Sequence, residues 1–285
     1  MSGILAMTSA STPKANESSD YARFCQLLEQ RSGIVLGEGK QYLVTSRLTS
    51  LMRDSNMESL GQLVDKLQGG FSSALLQSVI DAMTTNETMW FRDNYPFDVM
   101  EKQIFPEAGG MAPLSIWCAA CSTGQEPYSV AMVADEYRQK NRMKPFAGVR
   151  ILATDIASSV LASAKEGVYD SLAMARGLSE VRKKTYFEPV ENGRLRVRQS
   201  IRQPVMFQSL NLLNMPYSVG PFDVIFCRNV LIYFDPQVKN QVLSALADRL
   251  RKGGYLFVGG SESLGDAGSR FEMIRCSPGI VYRRK

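Results

Sequence analysis

The stretch from Leu114 to Pro127, LSIWCAACSTGQEP, constrains the fold of this chain more than any other. It begins with a run rich in apolar residues, which predicts a buried strand, and continues into a polar loop of small residues. Pro127 suits the first turn of a helix, because that position needs no backbone N–H. Strand, small-residue turn and helix form the first unit of a nucleotide-binding α/β sheet. The loop holds a single glycine, so an ordinary strand-to-helix connection explains this stretch equally well.

Strand and helix patterns then alternate to the end of the chain. Val149 to Ile156 predicts a second strand ending in Asp155, and Ser158 to Glu166 predicts the helix after it. Asp155 is either a ribose acceptor or a helix cap, and its place at the strand end favours the ribose. Further strands are predicted at 206–212, 222–234, 255–258, 271–274 and 280–282, with a helix at 237–251. This alternation predicts an α/β fold with a mostly parallel sheet and helices on both faces.

Three segments depart from the α/β pattern. Residues 1–18 are rich in Ser, Thr and Ala and are predicted to form a disordered tail. Four apolar stripes at helical spacing predict an all-helical domain over 19–85, before an α/β domain over 86–285. Residues 171–207 insert a helix and a hairpin around Asn192-Gly193. This insertion holds eight basic and three acidic residues, a net charge of +5 that equals the charge of the whole chain, so we expect an acidic partner surface.

Cysteine and histidine content narrows the possible chemistry. Five cysteines, an odd and sparse set, do not form a disulfide framework and indicate a reducing compartment. Cys118 and Cys121 form a CxxC, but without a histidine or a second such pair we expect no metal. The absence of histidine excludes Ser-His-Asp and Cys-His catalysis. With no signal-peptide pattern, and no apolar run near the ~20 residues of a membrane span, we expect a cytoplasmic protein without membrane insertion.

Three motifs, taken together and in this order, resemble one protein family. They are TTNETMWFR at 84–92, STGQEPYS at 122–129 and FCRNVLIYF at 226–234. They resemble the chemoreceptor glutamate methyltransferases of bacterial chemotaxis, the CheR family, and the likeness runs from about Tyr21 to the end. It implies a class I methyltransferase dependent on S-adenosylmethionine, with a Rossmann-like, mostly parallel seven-stranded sheet and a small inserted β-hairpin subdomain. The helical domain would dock on receptors, and the enzyme would be a cytoplasmic monomer associated with receptor arrays.

The resemblance also implies roles for individual residues. Arg92 and Tyr233 would be catalytic, with Arg92 holding the target carboxylate and Tyr233 near the transferred methyl. The implied cofactor-binding residues are Asn86, Thr88, Arg92, Glu126, Asp155, Asn211, Leu212, Asn229 and Val230. Glu126 would meet the methionine amino group, Asp155 the ribose, and Asn211 and Leu212 the adenine. Asn211 could instead be only a turn residue, and Tyr233 only a core aromatic.

The implied reaction agrees with a chain that lacks histidine. The sulfonium methyl of S-adenosylmethionine is already activated, and transfer leaves S-adenosylhomocysteine. A receptor glutamate, with an ordinary pKa of about 4.3, is ionised at neutral pH. No general base is therefore required, and the protein's task would be to align the reactants and exclude water.

Two features differ from the family's pattern. In relatives the second N-terminal helix is strongly basic, whereas here it offers Arg47 and Arg53, with Lys40 at its start. We therefore expect receptor docking to depend more on residues outside that helix. Some relatives use the hairpin to bind a tether from the receptor tail as an added strand. The hairpin loop here, Glu188 to Leu195, is a few residues shorter, so we expect no dependence on a tether.

Two other functions are compatible with parts of the sequence. A nucleic-acid methyltransferase would explain the basic insertion, but Arg228-Asn229-Val230 stands where amine methylases carry Asn/Asp-Pro-Pro-Tyr. A non-catalytic cofactor-binding module could recruit partners through the hairpin. The intact Arg92, Glu126, Asp155 and Tyr233 argue against that module, and we expect no nucleic-acid partner.

Overall fold

The structure is a computed structural model that describes residues 13–37, 39–70, 73–108, 110, 112–216 and 218–285. The chain divides into two compact units, residues 1–83 and 84–285. Residues 1–12 of the predicted disordered tail lie outside the described residues. The first helix begins at Pro13, so residues 13–18 are helical where the sequence predicted disorder. A proline is tolerated in the first turn of a helix, so Pro13 is compatible with a helix over this polar segment.

The first unit is all-helical, with one helix for each predicted apolar stripe. Its helices are α1 (Pro13–Ser32), α2 (Gln41–Asp54), α3 (Leu60–Gln68) and α4 (Ser73–Met83). The stripes meet in one core that includes Phe24, Leu48 and Leu63. Ser59 caps α3, because its side chain accepts a hydrogen bond from the Gln62 N–H at 3.3 Å.

The second unit contains two sheets. The strands are β1 (Leu114–Ala119), β2 (Val149–Asp155), β3 (Val168–Tyr169), β4 (Phe187–Pro189), β5 (Leu195–Val197), β6 (Val205–Ser209), β7 (Phe222–Cys227), β8 (Leu250–Val258), β9 (Phe271–Cys276) and β10 (Gly279–Arg284). Seven of the described strands form one sheet in the order β6-β2-β1-β7-β8-β10-β9, in which the β8–β10 and β10–β9 pairs are antiparallel and the other pairs are parallel. The inserted segment supplies β4 and β5 of a separate antiparallel sheet in the order β3-β5-β4, and β3 directly precedes the segment.

Helices and single turns connect these strands. The helices are α5 (Tyr95–Val99), α6 (Phe105–Glu107), α7 (Gln125–Lys140), α8 (Ser158–Glu166), α9 (Ser171–Met174), α10 (Glu180–Tyr186), α11 (Gln199–Arg202) and α12 (Pro236–Arg249). A π-helical turn, Met100–Ile104, joins α5 to α6. Short 3-10 helices lie at Glu191–Gly193, Leu212–Asn214, Leu231–Tyr233 and Gly265–Arg270. The strand predicted over 222–234 ends at Cys227, because the chain turns at Asn229, where φ is 60°.

Apolar side chains cover both faces of the large sheet, as expected for a parallel sheet between helices. One cluster surrounds Ile116 and Val130, and a second surrounds Trp117 and Leu246. Ile116 and Trp117 are neighbours in β1, so their side chains point to opposite faces. Among the described residues, no helix is both long and apolar enough to cross a membrane.

The turn between β1 and α7 depends on Gly124. Its φ is 94°, a conformation that side chains rarely adopt, and it lies against α8 and the small sheet. A Cβ at this position would lie 3.0 Å from the Cβ of Ala164 and 3.2 Å from the hydroxyl of Tyr169. A glycine is therefore required here by its backbone conformation and by its neighbours.

Gly124→Ala and Gly148→Ala separate these two requirements. Gly148 also has a positive φ, 89°, but a Cβ there would meet nothing within 4 Å. Both substitutions should incur a backbone cost of about 1–2 kcal/mol. We expect Gly124→Ala to lower the free energy of unfolding by a further ~1–3 kcal/mol through overpacking, as measured by urea denaturation. Equal losses in the two variants would show that the contacts around Gly124 do not matter.

Candidate active site

Seven of the ten predicted site residues end or follow β1, β2, β6 and β7, and Asn86, Thr88 and Arg92 lie in the segment between α4 and α5. The Ser122 N–H donates to Asp155 Oδ2 at 2.8 Å, and the Ala157 N–H donates to Asp155 Oδ1 at 2.9 Å. The Ser122 hydroxyl donates to the Asn86 carbonyl at 2.9 Å. Asn86, the loop after β1 and the end of β2 are therefore joined in one arrangement.

Arg228 is the centre of a buried ionic network. Its Nη1 donates to Glu126 Oε2 at 2.9 Å, and its Nη2 donates to Asp93 Oδ2 at 2.6 Å and to the Arg92 carbonyl at 2.9 Å. The Arg228 side chain is 2% exposed and that of Glu126 is 13% exposed. Burial raises the pKa of the Glu126 carboxyl, while the charge and hydrogen bond of Arg228 oppose that rise. Arg228 thereby stabilises a carboxylate in a buried position.

The loop that carries Arg92 is conformationally strained. Phe91, Asp93 and Asn94 have φ values of 50°, 67° and 50°. Residues outside glycine in this region cost about 1–3 kcal/mol each and cluster at functional sites. The half-buried Arg92 also donates from Nη1 to the Glu87 carbonyl at 3.2 Å. Contacts elsewhere in the unit must therefore hold this loop in place.

The inserted segment supplies several of those contacts. The Trp90 ring meets Tyr169 and Phe187 of the small sheet edge-on, with ring centroids 4.9 and 5.2 Å apart. The Arg182 guanidinium lies 3.8 Å from the centroid of the Phe91 ring and forms two hydrogen bonds to Glu136, at 2.8 and 2.9 Å. The insertion therefore packs on both residues that precede Arg92.

Much of the insertion's positive charge has partners within the same unit. Besides the Arg182 pair, Arg176 binds Glu87 and Lys183 binds Glu180. Arg198 binds the Phe187 carbonyl, and Arg202 binds the Lys165 carbonyl. The sequence predicted from the net charge that this segment faces an acidic partner. The structure shows that five of its eight basic residues have other contacts.

The remaining predicted residues line the same edge of the sheet. Asn229, Val230 and Tyr233 follow β7, and Tyr233 ends the 3-10 helix Leu231–Tyr233. The Asn211 side chain caps another 3-10 helix by accepting from the Leu213 N–H at 3.0 Å, and Leu212 is buried in the core. Thr88 is half-buried between Asn86 and Arg92.

Sequence reasoning left Asp93 and Glu262 out of the site and gave Arg228 no role. Arg228 directly follows a buried strand, and such a position marks a charged group that needs a partner. Glu262 follows the pair Gly259-Gly260, which signals a close backbone approach after β8. Apart from Gly259, which is three residues from Glu262, their partners are at least 30 residues away, so those pairings could be found only in the fold.

The buried cysteines do not contribute a nucleophile. Burial raises the pKa of the Cys118 and Cys121 thiols well above the ordinary value, so both stay protonated at neutral pH. Within the part of the chain that the structure describes, no cluster of three or more cysteine or acidic side chains could hold a metal ion.

The site offers carboxylates that suit two parts of S-adenosylmethionine, its ribose hydroxyls and its ammonium group. Asp155 ends the second strand, the position at which nucleotide-binding sheets of this kind place an acidic residue for a ribose. Glu126 offers a buried carboxylate to an ammonium group.

Comparison with known proteins identifies the family. A family model described as the SAM-binding domain of CheR methyltransferases matches residues 86–280, and one described as their all-alpha domain matches residues 19–84. This chain belongs to the CheR methyltransferase family. It is a methyltransferase dependent on S-adenosylmethionine, with the class I fold that its sheet order shows.

Chemotaxis protein methyltransferases resemble this chain over nearly its whole length. Chemotaxis protein methyltransferase 1 of Pseudomonas aeruginosa is 50% identical over 272 residues, covering 93% of this chain and 98% of that protein. Chemotaxis protein methyltransferase Cher2 of Pseudomonas putida is 48% identical over 269 residues, with the same coverage. The chemotaxis protein methyltransferase of Salmonella typhimurium is 36% identical over 258 residues, covering 89% of this chain and 86% of that protein.

Arg228→Met tests whether the Arg228–Glu126 pair holds the methyltransferase site together. Removing one partner of a buried ion pair leaves an uncompensated charge, which costs about 3–5 kcal/mol. We expect a loss of this size in the free energy of unfolding, measured by urea denaturation.

The double variant Arg228→Met/Glu126→Gln is the matched control. It loses the same Arg228 contacts to Asp93 and Arg92 but no longer buries a lone carboxylate, so it should be more stable than Arg228→Met alone. A double variant that is no more stable than Arg228→Met would contradict the pairing.

Proposed function

We propose that this enzyme transfers the methyl group of S-adenosylmethionine to glutamate carboxylates of methyl-accepting chemoreceptors. The products would be glutamate methyl esters and S-adenosylhomocysteine. The observation that carries the proposal is the position of Arg92, a half-buried cation whose carbonyl is bound by Arg228 beside Glu126. A cation at this point suits an anionic acceptor, and relatives that match nearly the whole chain are named chemotaxis protein methyltransferases.

Each residue of the site has a role in this proposal. Arg92 holds the acceptor carboxylate by a charge-assisted hydrogen bond, and Tyr233 lies near the reacting methyl. Glu126 binds the methionine amino group, Asp155 binds the ribose, and Asn211 and Leu212 border the adenine. The other residues of the cofactor cleft are Asn86, Thr88, Asn229 and Val230.

These roles require alignment of the reactants and no general base. Bound cofactor supplies a sulfonium methyl that needs no further activation. The acceptor carboxylate is ionised at neutral pH, so the chain needs no histidine to remove a proton. Arg92 must bind this carboxylate only moderately, because tighter binding of the ground state than of the transition state would slow the step.

The proposed reaction changes charge on the receptor. An ester is neutral, so methylation removes repulsion between neighbouring carboxylates on a receptor's helices. Adaptation of receptor signalling would follow from this local electrostatic change. The enzyme would work as a monomer in the cytoplasm beside receptor arrays.

Receptor docking is assigned here to the N-terminal helical domain, mainly outside α2. Arg47 of α2 donates to the Met83 carbonyl at 2.7 Å, so its charge already serves the end of α4. Arg53 keeps a side chain that is 75% exposed and lies 3.5 Å from Asp54. The helix therefore presents less available positive charge than its sequence suggests.

The central test uses methyl-labelled S-adenosylmethionine and a cytoplasmic receptor fragment, followed by alkali. Label released as volatile methanol would identify a carboxyl methyl ester. Alkali-stable label would mean transfer to nitrogen or carbon and would refute the proposal. Label on duplex DNA or RNA, with strong salt dependence, would favour a nucleic-acid methyltransferase instead.

Arg92→Ala should abolish most methyl transfer while S-adenosylhomocysteine still binds measurably. We expect kcat/KM for the receptor fragment to fall at least ~100-fold, since the charge-assisted contact to the acceptor is lost. Arg176→Ala is the control, because Arg176 also contacts Glu87, at 3.3 Å, but belongs to no proposed role. Turnover unchanged in Arg92→Ala would refute the role of Arg92.

Methylation should not depend on a receptor tail tether. The loop between β4 and β5 is tight, with the Val190 N–H donating to the Arg194 carbonyl at 3.0 Å across the turn Glu191–Gly193. We expect equal KM values for receptor fragments with and without the tail. A tail peptide that binds in the micromolar range, about −8 kcal/mol, in calorimetry would contradict this.

A further inference from the structure

A buried carboxylate, Glu262, binds backbone groups at the edge of the proposed active site. Its residue is 7% exposed. Oε2 accepts from the Gly259 N–H at 2.6 Å and from the Asn229 N–H at 2.8 Å. Oε1 accepts from the Ile232 N–H at 3.2 Å. One side chain thus joins the segment after β8 to the segment after β7.

The backbone around this carboxylate leaves little room for an alternative arrangement. Asn229 has a φ of 60°, so the backbone that carries its N–H adopts an uncommon conformation. A Cβ on Gly259 would lie 2.7 Å from both Asn229 Nδ2 and Glu262 Oε2. Because Gly259 has no Cβ, the segment after β8 can approach the segment after β7 closely, and Glu262 then accepts hydrogen bonds from both.

We propose that Glu262 is a positioning residue for methyl transfer. It fixes the segment Asn229–Tyr233 through two backbone N–H groups, and Gly259 anchors the carboxylate from β8. The proposal rests on the proposed function for the roles of the cofactor-lining Asn229 and Val230 and of Tyr233. Hydrogen bonds to a carboxylate are about twice as strong as neutral ones. A displacement of about 1 Å in a catalytic group can cost ~100-fold in rate.

The two carboxylate oxygens bind different backbone N–H groups, so a substitution can remove the hydrogen bond of one oxygen and keep those of the other. In Glu262→Gln the amide oxygen can still accept from Asn229 and Gly259, while the NH2 group faces the Ile232 N–H, which holds the weakest of the three bonds. The 3-10 helix bearing Tyr233 would be released while the cofactor side stays held. Glu262→Ala would release both sides.

The experiment compares kcat, S-adenosylhomocysteine affinity and thermal midpoint in the full-length variants. We expect Glu262→Gln to lower kcat at least about tenfold with its Kd for S-adenosylhomocysteine within ~2-fold of wild type. Glu262→Ala should lower kcat further and weaken S-adenosylhomocysteine binding at least ~10-fold.

Asp223→Asn is the matched control for a purely structural loss. Asp223 lies at the opposite end of β7 and uses one oxygen for the Ser115 N–H at 2.8 Å and the other for Arg251 at 2.5 Å. In Asp223→Asn the amide oxygen would also keep one of these two hydrogen bonds, and the amide NH2 group would face the donor of the other. We expect it to lower the thermal midpoint without lowering kcat.

Amide proton shifts test the geometry without any methyl acceptor. The Glu262→Gln variant should move the Ile232 amide proton upfield more than those of Asn229 and Gly259, because the Ile232 N–H loses its carboxylate acceptor. A wild-type enzyme that fails to methylate receptor fragments would refute the proposed function, while these shifts would still decide whether Glu262 holds the segment. Unmoved shifts, a wild-type kcat in Glu262→Gln, or an equal kcat loss in Asp223→Asn would overturn the positioning role.

Discussion

The buried guanidinium of Arg228 is the interaction on which the rest of this site depends. It reaches Glu126 at the start of α7 and Asp93 and the Arg92 carbonyl in the loop before α5. A buried charge without partners would be too costly to tolerate, so the three segments must meet in one geometry. The carboxyl ends of β1 and β7 lie side by side in the sheet, which brings Arg228 within reach of α7. The sheet order thus sets the distance between Arg228 and α7, and the Arg228–Glu126 ion pair fixes the loops after β1 and β7.

The strained loop at Phe91–Asn94 gives the inserted sheet a structural purpose. Three positive φ values in four residues would not persist without support. Trp90 packs against Tyr169 and Phe187, and Arg182 stacks on Phe91. The backbone N–H of Trp90 also donates to the Arg176 carbonyl at 3.3 Å. The insertion therefore shapes the position of Arg92 from within the same unit. Most of its basic residues contact groups of the same unit, so their charge stabilises local structure whether or not the segment also binds a partner.

The sequence predicted what depends on local patterns and missed what depends on distant pairings. The helix predicted over Ser158 to Glu166 has those bounds, and β2 ends at Asp155, because apolar periodicity and polar ends are local signals. Arg228 and Glu126 are 102 residues apart, and Glu262 and Asn229 are 33 apart, so no spacing rule connects them. For Asp155 the sequence allowed a cap or a ribose acceptor. The structure shows a carboxylate that accepts from the Ala157 N–H just before α8 and from the Ser122 N–H, while the ribose role stays a prediction.

The distribution of charge explains how the proposed site can accept an anionic substrate. In the proposed reaction, a glutamate carboxylate would approach a site that already contains the acidic residues Glu126 and Asp93. Arg228 binds both, and its position, 2% exposed, keeps its charge out of competition for the incoming carboxylate. Arg92 is more accessible, and in the proposal it is the residue that binds that carboxylate. Under the proposed function, the two arginines therefore have different roles. The buried one neutralises the protein's own carboxylates, so the other can meet the substrate.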